Sequence, residues 1–598
     1  MSLTMKTVSL RTPTLVAATA SLLLFVAPVL ADEKQPAKVP YQAQGAPSNP
    51  KVDVRWNRYH DYAEATRLLK QLAETFPEYA RLESLGKSYG GREMWVLTIT
   101  NFAKGDDKDR PAIWIDAGIH ANEIQTVEVV LYTAWYLLES RASNPFIQKL
   151  LDERVFYLMP MMSPDSRDAH FYEPNTTHGP RTGQRPVDDD NDGLVNEDDY
   201  DDLDGDGHIT QMRIRDPNGR YKAHPDFPQL MVPVKEGEKG EFTLLGMEGK
   251  DDDGDGLVNE DADGYYDPNR DWPWNWQPKY VQGGAFRYPF SLDENRVVGE
   301  FIGAHPNIAA AQSYHNAGGM ILRGPGAKDD AFPQADLRVY DVIGKQGEKI
   351  LPGYRYMNIA NDLYEVYGGE IDWLHQQRGI FTFTNELFTP FNFFRIKEND
   401  GFFGSDETRH EFDKYLLFGD GFSPWKEVDH PQYGKIEVGG VKKNWVRQPP
   451  SFLLEEELHR NMAFTLYHAD QMPKVRIQSV EVKPLGGGVS EVTAIVENTG
   501  LIPTHNAADV RNRITPPDVV ELTSDAPNFK VLAGLYADEP LFRNPHDQKR
   551  KPAAIKLESI PGHSVRYVRW LVQGEGPFEV KLKSIKGGSD TKTSEIKK

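Results

Sequence analysis

The chain contains no cysteine. That excludes disulfide staples, thiolate metal ligands and thiol nucleophiles, so any transition metal must be held by histidine and carboxylate. It also lacks an excess of positive charge. Lys and Arg number 68 against 89 Asp and Glu, a formal net charge of −21, which argues against a nucleic-acid backbone as partner. Past the N-terminal stretch no run of apolar residues is long enough for a membrane span. No H-E-x-x-H occurs, which closes one helix-borne zinc route. With 39% hydrophobic and 26% charged residues the chain is globular rather than disordered, and 598 residues predict two or three domains.

What is present begins with an export signal. Lys6 and Arg11 precede an apolar run from Leu15 to Leu24, which continues to Val29-Leu30-Ala31. This is the layout of a secretory signal peptide (1–31), cleaved after about Ala31, and it predicts a soluble, secreted or periplasmic protein. Residues 32–50 read as a linker. A helix is expected from about Tyr59. Strands are expected at Trp95 to Ile99, Ala112 to Ile115, Val155 to Pro160, Ile308 to Tyr314 and Gly379 to Thr384. Helices are expected at 123–140, 293–304, 355–367 and 452–470. Strand–helix–strand order with continuously apolar strands points to an α/β sheet covered on both faces by helices. After Pro473 the pattern turns to alternation, as in Val475, Ile477, Val480 and Val482, and predicts a β-sandwich over 473–587. That module carries no cluster of catalytic residue types and reads as a folding or attachment unit. The Ser-, Thr- and Lys-rich tail, 588–598, is expected to be disordered.

An acidic insertion, about 180–265, interrupts the first domain (51–472). It holds three D-x-D-x-D-G blocks: Asp188, Asp190 and Asp192; Asp202, Asp204 and Asp206; Asp251, Asp253 and Asp255. Alternate carboxylates before a glycine suit a hard cation, and the blocks are candidate Ca²⁺ loops. The twelfth positions hold Asp199, Arg213 and Ala262 instead of the usual Glu. A region this polar is not expected to bury a core of its own.

The chemistry-bearing stretch is Ile115 to Glu123. An imidazole and a carboxylate three residues apart, His120 and Glu123, fall where a strand gives way to a helix, the rim at which α/β folds bind ligands. Together they can close on Zn²⁺, and His315, at the end of a buried-looking strand, is the best third ligand. His170, His178, His208, His224 and His305 are weaker alternatives.

Five blocks in fixed order carry a resemblance: His120-x-x-Glu123, Asp267-Pro268-Asn269-Arg270-Asp271-Trp272, Ser313-Tyr314-His315, Tyr364 with Gly368-Gly369-Glu370-Ile371-Asp372-Trp373, and Phe381 to Glu386. Over about residues 55–470 the chain resembles the zinc carboxypeptidases, the carboxypeptidase A-like metallopeptidases. The resemblance implies a mixed twisted sheet flanked by helices and hydrolysis of the C-terminal bond of peptides. It implies Zn²⁺ on His120, Glu123 and His315, with Asp267 orienting the first histidine. Glu386 would be the general base. Asn269 and Arg270 would bind the substrate carboxylate, and Tyr364 would close over it. An arginine is also implied for the oxyanion; Arg185 is the first choice and Arg181 the second. Ile371 falls at the specificity position and favours apolar C-terminal residues. Two other readings compete: trimming of cell-wall peptides, and calcium-dependent binding without catalysis.

Overall fold

A computed structural model describes residues 43–47, 49–188, 193–196, 198–259, 266–395 and 404–597. The expected signal peptide, the linker as far as residue 42, and Asp190 and Asp192 lie outside the described residues. Residues 43–46 are a short turn, and the main unit begins at Pro47.

The strand Ala112–Ala117, apolar except for Asp116, is buried at every position. It lies inside an eight-stranded mixed sheet in the order Ala80–Lys87, Glu93–Ile99, Val155–Met159, Ala112–Ala117, Ile308–Asn316, Phe381–Leu387, Met320–Arg323, Arg355–Asn358. The four central strands are parallel. Alternation of side chains sends Ile113 and Ile115 to one face and Trp114 to the other. The first face packs under helices Tyr62–Thr75, Gln125–Ser140, Gln334–Ile350 and Ser451–Asp470, through Leu69, Val127, Ile343 and Leu458 among others. The second packs under Asp293–Ala304 and Glu370–Arg378, through Val298, Trp272 and Trp373. With both faces covered, continuous apolar strands are required.

Three expectations fail. The helix expected over 355–367 is replaced by the edge strand Arg355–Asn358, parallel to Met320–Arg323, and a four-residue helix Ile359–Asp362. The open edge of the sheet supplies hydrogen-bond partners that outweigh local helical spacing. The acidic insertion does bury a core. Its strands Gln211–Arg215 and Phe242–Met247 join a six-stranded sheet with Gly434–Val441 and Phe422–His430, around buried Met212, Ile436 and Val438. The Arg213 guanidinium is held between Phe242 and Trp425, at 4.1 and 3.9 Å from the ring centroids. The third correction concerns the tail. Gly588–Ile596 is a strand, paired with Gly576–Ser584 along its full length. Asp590 accepts the Ile477 backbone N–H at 2.7 Å, and Ile596 is buried. Its polar residues alternate outward from an edge, which a composition reading takes for disorder.

The C-terminal region is two antiparallel sheets of five and four strands closed on one core that includes Val492, Val520, Trp570 and Leu582. It docks on the first domain. Arg154, buried at a strand start, donates to the Met472 and Pro473 carbonyls at 3.0 Å each.

Candidate active site

Strand ends deliver the site. After Ala117 the chain turns at Gly118, whose φ of +64° lies in the left-handed region. His120 to Glu123 then form a loop before helix Gln125–Ser140, which starts two residues later than expected. The His315 strand runs parallel to both neighbours, with Ser313 opposite Asp116 and with His315 opposite Glu386. Parallel register therefore places His120, His315 and Glu386 at one rim.

Here three donors converge. His120 Nδ1 and His315 Nδ1 are 3.1 Å apart. Glu123 Oε1 lies 3.1 Å from His120 Nδ1, and Oε2 lies 3.1 Å from His315 Nδ1. All three residues are buried. His120 Nε2 donates to Asp267 Oδ1 at 2.9 Å, which puts the ring proton on that side. The bare Nδ1 then faces a second imidazole nitrogen and a carboxylate. A proton on His315 could serve only one of these acceptors; a divalent cation serves all three. The separations are close to the edge of a tetrahedron with bonds of about 2.0–2.1 Å, roughly 3.3 Å, so the donor set fits Zn²⁺.

Asp267 is the cap of the turn Pro268–Arg270 and accepts the Asn269 N–H at 2.7 Å. Burial alone would raise its pKa, but Arg270, His120 and Arg181 hold it well below the usual carboxylate range. Asn269 and Arg270 line one cavity with His120, His315, Arg181, Tyr364, Ile371 and Glu386. Asn269 Oδ1 accepts the Glu370 N–H at 3.0 Å, which ties the clamp turn to helix Glu370–Arg378. Tyr364 is half exposed at the mouth. Burial, and then the charge of Glu123, push Glu386 up to about 7 against His315, Arg181 and Arg447.

Arg185, the first choice for the oxyanion arginine, is not in this cavity. Its guanidinium pairs with Asp293 at 3.0 Å and covers the Tyr89 ring. Arg181 takes the place: Nη1 donates to Glu123 Oε1 at 2.9 Å, and Nε lies 3.9 Å from Asp267 Oδ2. Sequence reasoning also missed Arg447. It donates to the Asn316 carbonyl at 2.9 Å, approaches His178 Nδ1 at 2.9 Å, and acts electrostatically on Glu123 and Glu386. No motif surrounds it. The chain also holds a G-x-S-x-G stretch, Gly86 to Gly90. Its Ser88 sits in a hairpin turn and donates to Asp165 at 2.8 Å, away from this cavity.

Of the acidic blocks, Asp202, Asp204 and Asp206, and Asp251, Asp253 and Asp255, each bring three carboxylate oxygens within 4.8 Å of one another. Their own backbone already serves them: Gly205 and Gly207 donate to Asp202 at 2.9 and 2.8 Å. Asp188 is described, but Asp190 and Asp192 of its block are not.

Comparison with known proteins agrees with this geometry. Residues 65–192 and 257–403 match the family described as zinc carboxypeptidase, and residues 474–595 match a domain family of unknown function. Among curated relatives, a zinc carboxypeptidase of Saccharothrix mutabilis subsp. capreolus is 35% identical over 107 residues, 18% of this chain and 24% of that protein. Human carboxypeptidase Z is 32% identical over 121 residues, 20% of this chain and 18% of that protein. Carboxypeptidase B of Astacus astacus is 38% identical over 110 residues, 18% of this chain and 34% of that protein. The chain thus spans between about a fifth and a third of these relatives' lengths. The solved carboxypeptidase A of Helicoverpa armigera has a TM-score of 0.40 at 22% identity, covering 57% of this chain and 67% of that one.

Proposed function

This chain belongs to the zinc carboxypeptidase family, and from that premise we propose that it is a metallocarboxypeptidase releasing the C-terminal residue of peptides. The carrying observation is the convergence of His120, Glu123 and His315 beside Glu386 in one cavity. Held by those three side chains, Zn²⁺ supplies Lewis acidity to the scissile carbonyl and lowers the pKa of a water.

The chain's own residues do the rest. Arg270, with Asn269 beside it, takes the substrate's terminal carboxylate; a guanidinium fork suits that group. Glu386 accepts the proton of the attacking water and passes it to the leaving amine. A base that titrates near 7 is suited to both transfers at neutral pH. Arg181 donates to the oxyanion as the carbonyl carbon becomes tetrahedral. Tyr364 shields the bound substrate from water, and Asp267 keeps His120 in its ligating tautomer. The test is Glu386→Gln. Turnover of a peptide ladder is expected to fall by roughly 10²–10⁴-fold while bound zinc stays near one per chain. Retained turnover would overturn the assignment of Glu386, and absence of bound zinc in the wild type would overturn the reading itself.

The proposal extends to export through the N-terminal signal and to two units, a catalytic one to about 472 and an accessory one beyond it. Among the described residues no helix is long and apolar enough to cross a membrane. The blocks at 202–206 and 251–255 are proposed as Ca²⁺ loops that stiffen the insertion sheet. Clustering supports this: in the first block Asp204 is raised by burial and by its neighbours Asp206 and Asp202.

A further inference from the structure

The two strands that bring His315 and Glu386 to the rim have a second face. Side chains alternate along a strand, so Ser313 and His315 on one, and Thr384 and Glu386 on the other, line the cavity. Gln312, Tyr314 and Asn385 turn the opposite way, and all three are buried. In the parallel register His315 lies opposite Glu386, and Tyr314 lies opposite Asn385. The pair at the cavity is thus backed, one residue earlier on each strand, by a polar pair. Helix Ser451–Asp470 covers that pair. It buries several apolar residues, Leu454, Leu458 and Met462 among them. Yet Glu457, Asn461 and Thr465, at i, i+4 and i+8 on one helix face, form a polar stripe no more than 5% exposed.

Asn461 grips both members. Its Oδ1 accepts the Asn385 side-chain amide at 2.8 Å, and its backbone carbonyl accepts the Tyr314 hydroxyl at 3.1 Å. Asn385 Oδ1 accepts in turn from Gln312 Nε2 at 2.9 Å, on the strand that carries His315. Asn461 Nδ2 donates to the Tyr354 hydroxyl at 3.2 Å. That oxygen also accepts the Phe388 N–H at 3.1 Å, two residues past Glu386, and gives its own proton to Glu457 at 2.9 Å. The chain is therefore fixed on both sides of Glu386 from one helix. An apolar contact at this depth has no direction, whereas these hydrogen bonds set distance and angle. Asn461 lies outside the residues that match the family. We propose that Asn461 is a positioning residue, which holds the His315 and Glu386 strand ends in register so that a zinc ligand and the general base meet at one point. The role of Glu386 in this rests on the carboxypeptidase reading; the role of His315 rests on the donor set.

The test uses the full-length protein. Asn461→Ala leaves the Asn385 amide unmet. With zinc saturating, kcat on peptides is expected to fall about 10–100-fold while KM stays within about threefold. The zinc dissociation constant, from competition with a chelator, should rise about three- to tenfold, less than for the loss of a direct partner of a ligand. Asn385→Val/Asn461→Ala removes both partners, keeps their summed volume nearly constant, and suits strand and helix. Its melting temperature should return to within about 2 °C of the wild type. A residue that only stabilised the fold would regain activity with it; here kcat and zinc affinity should stay low. A double variant within about twofold of the wild type in both quantities overturns the proposal. Tyr314→Phe, which removes a single hydroxyl, serves if the Asn461 variants fold poorly: at least a twofold loss of kcat or of zinc affinity is expected, and no change in either overturns the proposal. A wild type that binds zinc but turns over no peptide refutes the peptidase reading alone, and the zinc affinities then decide the role of Asn461.

Discussion

Lys586 offers a sharp test of how the C-terminal unit is joined to the first domain. Its buried ammonium donates to Asp509 Oδ2 at 3.0 Å and to the Arg378 and Gly379 carbonyls at 2.9 and 2.8 Å. All three N–H groups are used, and two of them cap the C-terminal end of the helix whose first turn carries Glu370 and Ile371. Asp509 also faces His505 Nδ1 at 3.3 Å, and His505 Nε2 faces Asp518 at 3.2 Å. Lys586→Met keeps the stem and removes the charge. Breaking a buried pair from one side costs about 3–5 kcal/mol, because the remaining charge is uncompensated. For a unit of about 120 residues, roughly 4 °C per kcal/mol, its thermal transition should fall by about 12–20 °C by scanning calorimetry. The double variant Lys586→Met/Asp509→Asn should recover a large part of that loss, since no lone charge remains. A single-variant shift below about 3 °C, or a double variant no better than the single, refutes the account. The same cluster sets a pH dependence. Burial alone would lower His505, but its bonds to Asp509 and Asp518 lift it to about 9. Its contribution is therefore full below about 6.5 and is lost as pH rises through about 9, at most about 3 kcal/mol in all. Asp509 is shifted the other way: burial opposes, and Lys586 and His505 hold it far below its ordinary value. Its contribution is present above about 4 and is lost only in strong acid. Wild-type stability should thus decline between pH 7 and 9, and His505→Asn should flatten that decline.

Arg181→Gln should lower kcat/KM by roughly 10²–10³-fold, the usual cost of losing an oxyanion donor. Arg185→Gln, which removes the pair with Asp293 at 3.0 Å and the cover over the Tyr89 ring, should stay within about threefold; similar losses in both would return the role to Arg185. Added Ca²⁺ at about 100 times its dissociation constant should stabilise the zinc-loaded protein by about 2.7 kcal/mol, seen as a rise in melting temperature. No rise at millimolar Ca²⁺ would remove the proposed role of the acidic loops.

Legibility from sequence followed the range of the interactions. Helices Asp293–Ala304 and Ser451–Asp470 and strand Ala112–Ala117 have their patterns written in consecutive residues, and they fall within a residue or two of expectation. The insertion sheet does not. Arg213 pairs with Glu437, 224 positions away, so nothing near either strand announces the partner. Arg355–Asn358 became a strand because a sheet edge was open to it, again a fact about distant residues. The site divides in the same way. His120, Glu123, His315, Asp267 and Asn269–Arg270 come in short blocks, and the fold places them around one cavity. Arg181 and Arg185 are four residues apart in the same loop. Remote partners, Asp293 with Tyr89 for one and Glu123 with Asp267 for the other, decide which guanidinium turns outward and which turns in. Glu370 stands beside Ile371 in the sequence. Its burial against Asp116 and Ser313 needed the folded sheet.

Charge balance around Glu386 links these pieces. Glu123, Asp267 and Glu386 bring three carboxylates to one rim, and Arg181, Arg270 and Arg447 answer them. Arg447 follows directly from strand Gly434–Val441, part of the insertion sheet, through a nine-residue connection to helix Ser451–Asp470. Its carbonyl accepts from Gln125 and Asn316, both at 3.3 Å, so the loop is pinned beside the segments that carry Glu123 and His315. Gln448 donates to the Asn122 carbonyl at 2.5 Å, between His120 and Glu123. The acidic insertion therefore reaches the site through its own sheet: strand Gln211–Arg215 holds Gly434–Val441, and that strand leads to the guanidinium facing Glu386. Since Arg447 lowers Glu386 against burial and Glu123, the basicity of the proposed catalytic carboxylate depends in part on a sheet outside the family-matched residues.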